Sequence, residues 1–351
     1  MLNNISLGEL EEILLIPSLE SLSGEKILIT GGAGFLGSWL SDSLIELGAS
    51  LVCVDNLSSG SINNIAHLER SKRFRFIQAD VEELEKAVHE HGFKYILHLA
   101  SRASPEDYQA HPVETLTTNS LGTLRALEAA RRDNSTFLFA STSEVYGDAE
   151  VIPTPEDYWG KVNPIGPRSP YDESKRFSEA LCKAYERRHG LDVRILRIFN
   201  SFGPRLRPEG LYGRAVSRFI MQAVEGAPIT VYGDGSQTRS FCYVTDTVKG
   251  ILQALTKDSA RGEVFNIGRP EETSILELAR KIKTLTCSNS AITFHPLPQD
   301  DPKRRCPDIS KAKRMLDWQP EIQLEEGLRR TIAWFRTDHA GRLLKKKMGE
   351  E

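Results

Sequence analysis

The stretch from Lys26 to Leu40, Lys-Ile-Leu-Ile-Thr-Gly-Gly-Ala-Gly-Phe-Leu-Gly-Ser-Trp-Leu, narrows the possible folds more than any other part of the chain. A short apolar run passes directly into a loop with glycines at 31, 34 and 37, and a helical pattern follows. Gly31 permits a tight turn, Gly34 lets backbone approach a pyrophosphate, and Gly37 lets helix lie against strand. The N–H groups of the helix start, at Phe35 and Leu36, and the positive end of its dipole would receive the phosphate. A second apolar run, Leu51 to Val54, ends at Asp55 with Asn56 after it, 24 positions beyond Gly31. A carboxylate there accepts ribose hydroxyls and repels a 2′-phosphate, which favours NAD over NADP.

From that loop onward strands and helices alternate. Phe74–Ile77 precedes a helix over Val81–His89, Tyr95–His98 precedes a long helix over Pro112–Arg132, and Phe137–Ala140 follows. Such a series predicts an α/β fold, a Rossmann-type doubly wound parallel sheet with helices on both faces. Ligands in these sheets lie beyond the C-terminal strand ends, which selects Asp55, Asp80-Val81, Leu99-Ala100-Ser101 and Ser141-Thr142-Ser143-Glu144. Another buried strand, Asp192–Phe199, ends at Asn200. After it the alternation weakens and glycines and prolines multiply. The reading is an N-terminal helical extension over 1–24, an NAD-binding domain over 25–199, and a smaller α/β substrate-binding lobe over 200–336 with chain excursions between the lobes. A basic tail, 337–351, closes the chain. Ser274–Leu285 and Leu324–Phe335 read as amphipathic helices, as does a short segment carrying Leu7, Leu10, Ile13 and Leu14, placed against the body or a partner subunit.

With 351 residues, 40% of them hydrophobic and 26% charged, the chain is long enough for a sizeable core. Its net charge of −3 carries no domain-wide basic excess, which argues against a nucleic-acid partner. Five cysteines without a CxxC pair signal neither a disulfide framework nor a zinc site, and no metal is expected. Reduced thiols fit a cytoplasmic protein. The acidic N-terminus has the wrong charge for a secretory signal, and no apolar run approaches the length of a membrane span. The basic cluster Arg342–Lys347 reads as a solvated terminus.

A helix is announced by Ser169 as N-cap and Pro170 in its first turn. It places Tyr171 and Lys175 on one face. An ammonium beside a phenol favours phenolate, so the tyrosine could serve as base, with Thr142 completing the proton path. Beyond residue 200, single loop arginines at 205, 214, 239, 304 and 305 could converge as a diphosphate clamp, since guanidinium matches phosphate oxygens. Phe241 and Tyr243 alternate with Arg239, and a guanidinium on such a half-buried edge needs an anionic partner.

With these features placed, the chain resembles the extended short-chain dehydrogenase/reductases acting on nucleotide sugars, over about Lys26 to Phe335. Within them it is most similar to the UDP-glucuronate decarboxylases. The stretches carrying the likeness are Ala140–Asp148, Glu156-Asp-Tyr-Trp-Gly160, Val162–Arg168, Tyr171-Asp-Glu173, Arg197–Arg205, Val231-Tyr-Gly233, Gly235–Arg239, and Asp300-Asp-Pro302 with Arg305, Pro307 and Asp308. The resemblance implies that NAD is recycled, that Thr142, Ser143, Glu144, Tyr171 and Lys175 are catalytic, and that Asn119 joins the cofactor set. It assigns Tyr108, Glu144, Asn200, Arg205, Arg214, Tyr232, Gln237, Arg239 and Arg305 to a UDP-linked substrate. It also implies a homodimer through the helices Pro112–Arg132 and Tyr171–His189.

The chemistry so implied is oxidation at C4, loss of the C5 carboxylate as carbon dioxide, and return of hydride. In 4,6-dehydratases of the same group Asp stands at the middle of the Thr-Ser-Glu triplet, and Ser143 cannot be that acid. A nucleotide-sugar 4-epimerase or 4,6-dehydratase stays open as the alternative, and an NAD-binding regulator has no use for the tyrosine base. Two positions depart from the decarboxylase pattern. Arg102 and Glu106 stand where prolines are usual, so the sugar differs or these charges pair with each other. Ser174 stands where Gly is usual.

Overall fold

The computed structural model describes residues 7–207 and 214–348. Seven strands form its central sheet: β1 (Lys26–Thr30), β2 (Ser50–Asp55), β3 (Phe74–Gln78), β4 (Tyr95–His98), β5 (Thr136–Thr142), β6 (Val193–Ile198) and β7 (Val264–Ile267). Their order is β7-β6-β5-β4-β1-β2-β3, and every neighbouring pair is parallel. Ile27, Leu28 and Ile29 are fully buried because helices cover both faces, which is why β1 reads as an unbroken apolar run rather than an alternation. The chain winds outward from β1 in both directions, so the crevice beyond β1 and β4 is the switch point. The doubly wound parallel sheet expected from the sequence is present.

After β6 the chain leaves the sheet and then returns to add β7 beside it. The remaining elements include the paired strands Ile229–Tyr232 with Ile292–His295 and Thr238–Ser240 with Glu272–Ser274. Helices Ala215–Val224, Ile275–Thr286 and Leu324–Met348 pack together there. The Ser274 hydroxyl caps its helix by accepting from the Glu277 amide at 3.1 Å. The N-terminal helix Leu7–Leu14 lies on the body against helices Phe35–Glu46 and Val244–Thr256, with Ile13 fully buried. Glu9 accepts from the Tyr243 hydroxyl, and Glu12 pairs with Arg330 at 3.0 Å.

Three local expectations are corrected. Residues 81–89 form a 3-10 turn, Val81–Glu83, and one α turn, Leu84–Ala87. Val88 then turns extended and buries itself in the core, leaving His89 to Gly92 nothing apolar with which to continue a helix. Arg168, not Ser169, occupies the N-cap of Ser169–His189, and no side chain caps that end. The helix begun at Leu324 runs through the basic residues to Met348 instead of ending at Phe335. All five cysteines are free thiols. Among the described residues no helix is long and apolar enough to cross a membrane, and no cluster of side chains could hold a metal.

Candidate functional site

The strand ends open into one cavity of about 380 Å³. Its first half is shaped by absence of side chains. Gly31 has φ 75°, and a Cβ there would sit 2.7 Å from the Ala100 amide nitrogen; one on Gly37 would sit 2.1 Å from the Gly31 carbonyl. Gly34, at the N-cap of Phe35–Glu46, turns the helix N-terminus towards the cavity, with Phe35 and Leu36 in its wall. Asp55, at the tip of β2, accepts from the Ala33 amide at 3.0 Å and the Leu57 amide at 2.8 Å. Burial raises its carboxyl while these amides and that of Gly34 oppose the rise. Asn56 donates to Asp80, and Val81, Leu99, Ala100 and Ser101 complete this half. A glycine cradle, an open helix N-terminus and a carboxylate at the β2 tip together fit NAD.

Asn119 does not join them. It is buried between two helices, where its Nδ2 donates to the Ser174 hydroxyl at 2.8 Å and its backbone carbonyl accepts from the Ser178 hydroxyl at 2.6 Å. A glycine at 174 would offer no such partner, so the unusual serine accounts for the seat of Asn119.

At the inner end, Thr142 finishes β5 and its hydroxyl accepts from the Glu144 amide at 3.2 Å. The Tyr171 phenol shares a hydrogen bond with Thr142. Lys175 donates to the Ala140 carbonyl at 2.9 Å, with its ammonium 5.9 Å from the centre of the Tyr171 ring. Both groups are buried. Burial pushes Lys175 down to about 7 and raises Tyr171 above the usual phenol value. Burial thus works against the phenolate expected from the lysine charge: it raises the phenol and at the same time weakens the ammonium meant to draw its proton away. Tyr108, expected on the substrate, is corrected. It lies behind Tyr171, rings stacked at 5.2 Å and 3°, outside the cavity wall.

Opposite the tyrosine runs a chain of alternating charges. Arg305 grips both oxygens of Glu144, and Arg168 donates to the same carboxylate at 2.6 Å. Arg168 also stands 3.8 Å from Asp301, which accepts from Arg239 at 3.0 Å. Burial alone would raise Glu144, but the charges of Arg168 and Arg305 prevail and hold it at about 2. Ser143 is buried beside it. The anionic partner demanded by Arg239 comes from within, from Asp301, and the Pro302 and Thr238 carbonyls each accept from it at 2.8 Å.

The other predicted arginines separate. Arg214 and Arg305 reach the cavity together with Asn200, Tyr232 and Gln237. Arg205 borders it too, yet its guanidinium is tied to Asp42 at 2.8 Å, so a buried carboxylate holds the charge expected for a diphosphate. Arg304 is exposed and paired with Glu272, away from the cavity. Arg102 pairs with Asp107 at 2.7 Å rather than with Glu106. The sequence reading gave no role to Arg168 or Asp301, although both lie inside motifs it quoted. A buried arginine directly ahead of the Tyr171 helix was the available signal.

Residues 27–268 match the model of the NAD dependent epimerase/dehydratase family. UDP-glucuronic acid decarboxylase 1 of Danio rerio is 50% identical over 312 residues, covering 89% of this chain and 72% of that protein. UDP-glucose 4-epimerase of Thermotoga maritima, solved with UDP-glucose, superposes with a TM-score of 0.81 at 34% identity, over 89% of this chain and 98% of that one. A dTDP-glucose 4,6-dehydratase of Streptomyces venezuelae, solved with NAD, gives 0.82 at 29% over 90% and 98%. The chain belongs to the NAD dependent epimerase/dehydratase family, with relatives named UDP-glucuronic acid decarboxylase.

Proposed function

We propose that the protein converts UDP-glucuronate to UDP-xylose and carbon dioxide. The observation that carries this reading is the Glu144 carboxylate, half-buried beside Ser143 and Thr142 and clamped by Arg168 and Arg305. A dehydratase needs a carboxylic acid at the triplet's middle position, whereas the Ser143 hydroxyl is far too weak an acid for that role, and Glu144 at about 2 is no acid at neutral pH. Bound NAD supplies a reversible hydride acceptor. Tyr171, aligned by Thr142 and braced by Tyr108, first gives up its own phenol proton, which Lys175, with its depressed pKa, passes to solvent near neutrality, and the phenolate then takes the C4 hydroxyl proton. The resulting ketone stands β to the C5 carboxylate, which departs as carbon dioxide. Arg239, Arg214 and Arg305 offer charge to the diphosphate and uronate.

On this reading residues 25–199 serve the cofactor and 200–336 the nucleotide sugar. Two copies associate through the helices Pro112–Asp133 and Ser169–His189, whose exposed Val113, Leu116, Leu121 and Phe177 supply an apolar face. Unpaired cysteines support a cytoplasmic setting. Incubation with UDP-glucuronate followed by mass spectrometry tests the activity: UDP-pentose with released carbon dioxide is expected. A uronate changed only at C4, with its carboxylate kept, would make the protein an epimerase.

A further inference from the structure

A second cavity, of about 340 Å³, lies behind the first. Arg168 and Asp301 belong to the walls of both, so these two side chains form the partition. Lys161, Asn163 and Asp300 are exposed at the outer side of the second cavity, and Asp172 lines its inner part. Asp172 is only 5% exposed, and its Oδ1 has no hydrogen-bond partner among the described residues. A bare buried carboxylate is costly, so the group keeps its proton. Burial first, then the charge of Glu144, pushes it up to about 8 against the pull of Arg168 and Arg305. The charged groups around it are Glu144 from the turn after β5, Arg168 ahead of the helix, Arg305 and Asp301 from the late chain, and Glu173 on its own helix. Asp148, Lys161 and Asp300 share the cavity.

The proposed reaction creates a need for such a group. When the bond from C5 to the carboxylate breaks, its electron pair stays on the sugar as an enolate and carbon dioxide leaves. The proton held by Tyr171 returns to the C4 oxygen as hydride returns to C4. The new C5–H bond therefore takes a further proton, one from solvent for each carbon dioxide, while the nucleotide sugar fills the first cavity.

We propose that the second cavity is the entry path for this proton and that Asp172 is its positioning residue. Asp172 releases a proton to water at the Arg168–Asp301 partition, the enolate carbon takes a proton from that water, and Asp172 is reprotonated from the solvent side.

The inference rests on the decarboxylase reading, and the experiment separates the two. Holoenzyme is given UDP-glucuronate between about pH 6 and 9, and carbon dioxide release, KM and reduced-nicotinamide absorbance during turnover are followed. In wild type, kcat should decline as pH rises through about 8. Asp172→Asn should lower kcat by about ten-fold or more, leave KM within about two-fold, abolish that decline and raise the standing level of reduced nicotinamide. Asn163→Trp, which plugs the second cavity without touching Asp172, should raise the same absorbance and keeps the test alive if the Asn variant does not fold. A folded Asp172→Asn with wild-type kcat and pH profile, or a folded Asn163→Trp without the absorbance rise, overturns the entry path alone. Wild type that releases no carbon dioxide overturns the reading and the path together.

Discussion

At the scale of single residues the site balances burial against charge. Tyr171→Phe should lower kcat by about 10² to 10⁴ while NAD content stays intact, since it removes one proton and no cradle contact. Steady-state assays alongside cofactor extraction check this. Arg239→Ala removes a charge-assisted contact of about 1.5 to 3 kcal/mol, so substrate KM should rise about ten-fold or more with NAD affinity unchanged. Equal losses of both affinities would mean that Arg239 serves only to hold Asp301. Lys175 titrates at about 7 in the fold against an ordinary 10.5. Between those values the unfolded chain binds more protons than the folded one, so stability rises with pH; below about 7 the whole cost of the buried charge is present. Cofactor-free Lys175→Met should therefore melt several degrees above wild type near pH 6, and the gap should shrink towards about pH 10. A gap that grows with pH would mean the lysine is charged and stabilising.

Sequence showed one class of these residues and hid another. Gly31, Gly37 and Asp55 were legible because the glycine loop announces its own backbone and the acid follows at a set distance. The Glu144 clamp was not, because Arg305 arrives from 161 positions away and a loop arginine looks alike whether solvated or gripped. Arg205 shows the reverse error: correct type and neighbourhood, but a partner on the helix Phe35–Glu46 that periodicity cannot pair with it.

At the scale of elements, apolar spacing located the strands and long helices, while ends decided by tertiary contacts escaped it. Val88 leaves its helix for the core, and the N-cap position falls to Arg168, whose guanidinium can only donate and goes to Glu144, so that helix end has no side-chain cap. The N-terminal helix is fastened by the buried Ile13, and Ile13→Ala should cost about 2 to 5 kcal/mol, read as a lower midpoint in denaturant. The paired-helix face gives a second expectation. Val113 is 65% and Phe177 52% exposed on neighbouring helices, so Phe177→Arg should convert a dimer to monomer in light scattering. Wild type that is monomeric at micromolar concentration would remove the association altogether.

For the whole molecule, the parallel sheet and its cofactor crevice followed from the alternation of elements, because each parallel connection demands a crossover. The origin of β7 could not be read that way. Val264–Ile267 is as apolar as a strand of either lobe, and only its register beside β6 assigns it. That placement sets a timetable for synthesis. β6 ends at Ile198 and β7 begins at Val264, so 65 residues must emerge before β6 loses its open edge. At roughly 5 to 20 residues per second, the nascent sheet ends in a strand with one unpaired edge for about 3 to 13 seconds. During that interval the growing chain is open to edge pairing with its neighbours, and a chaperone that shields strand edges would find its binding site there.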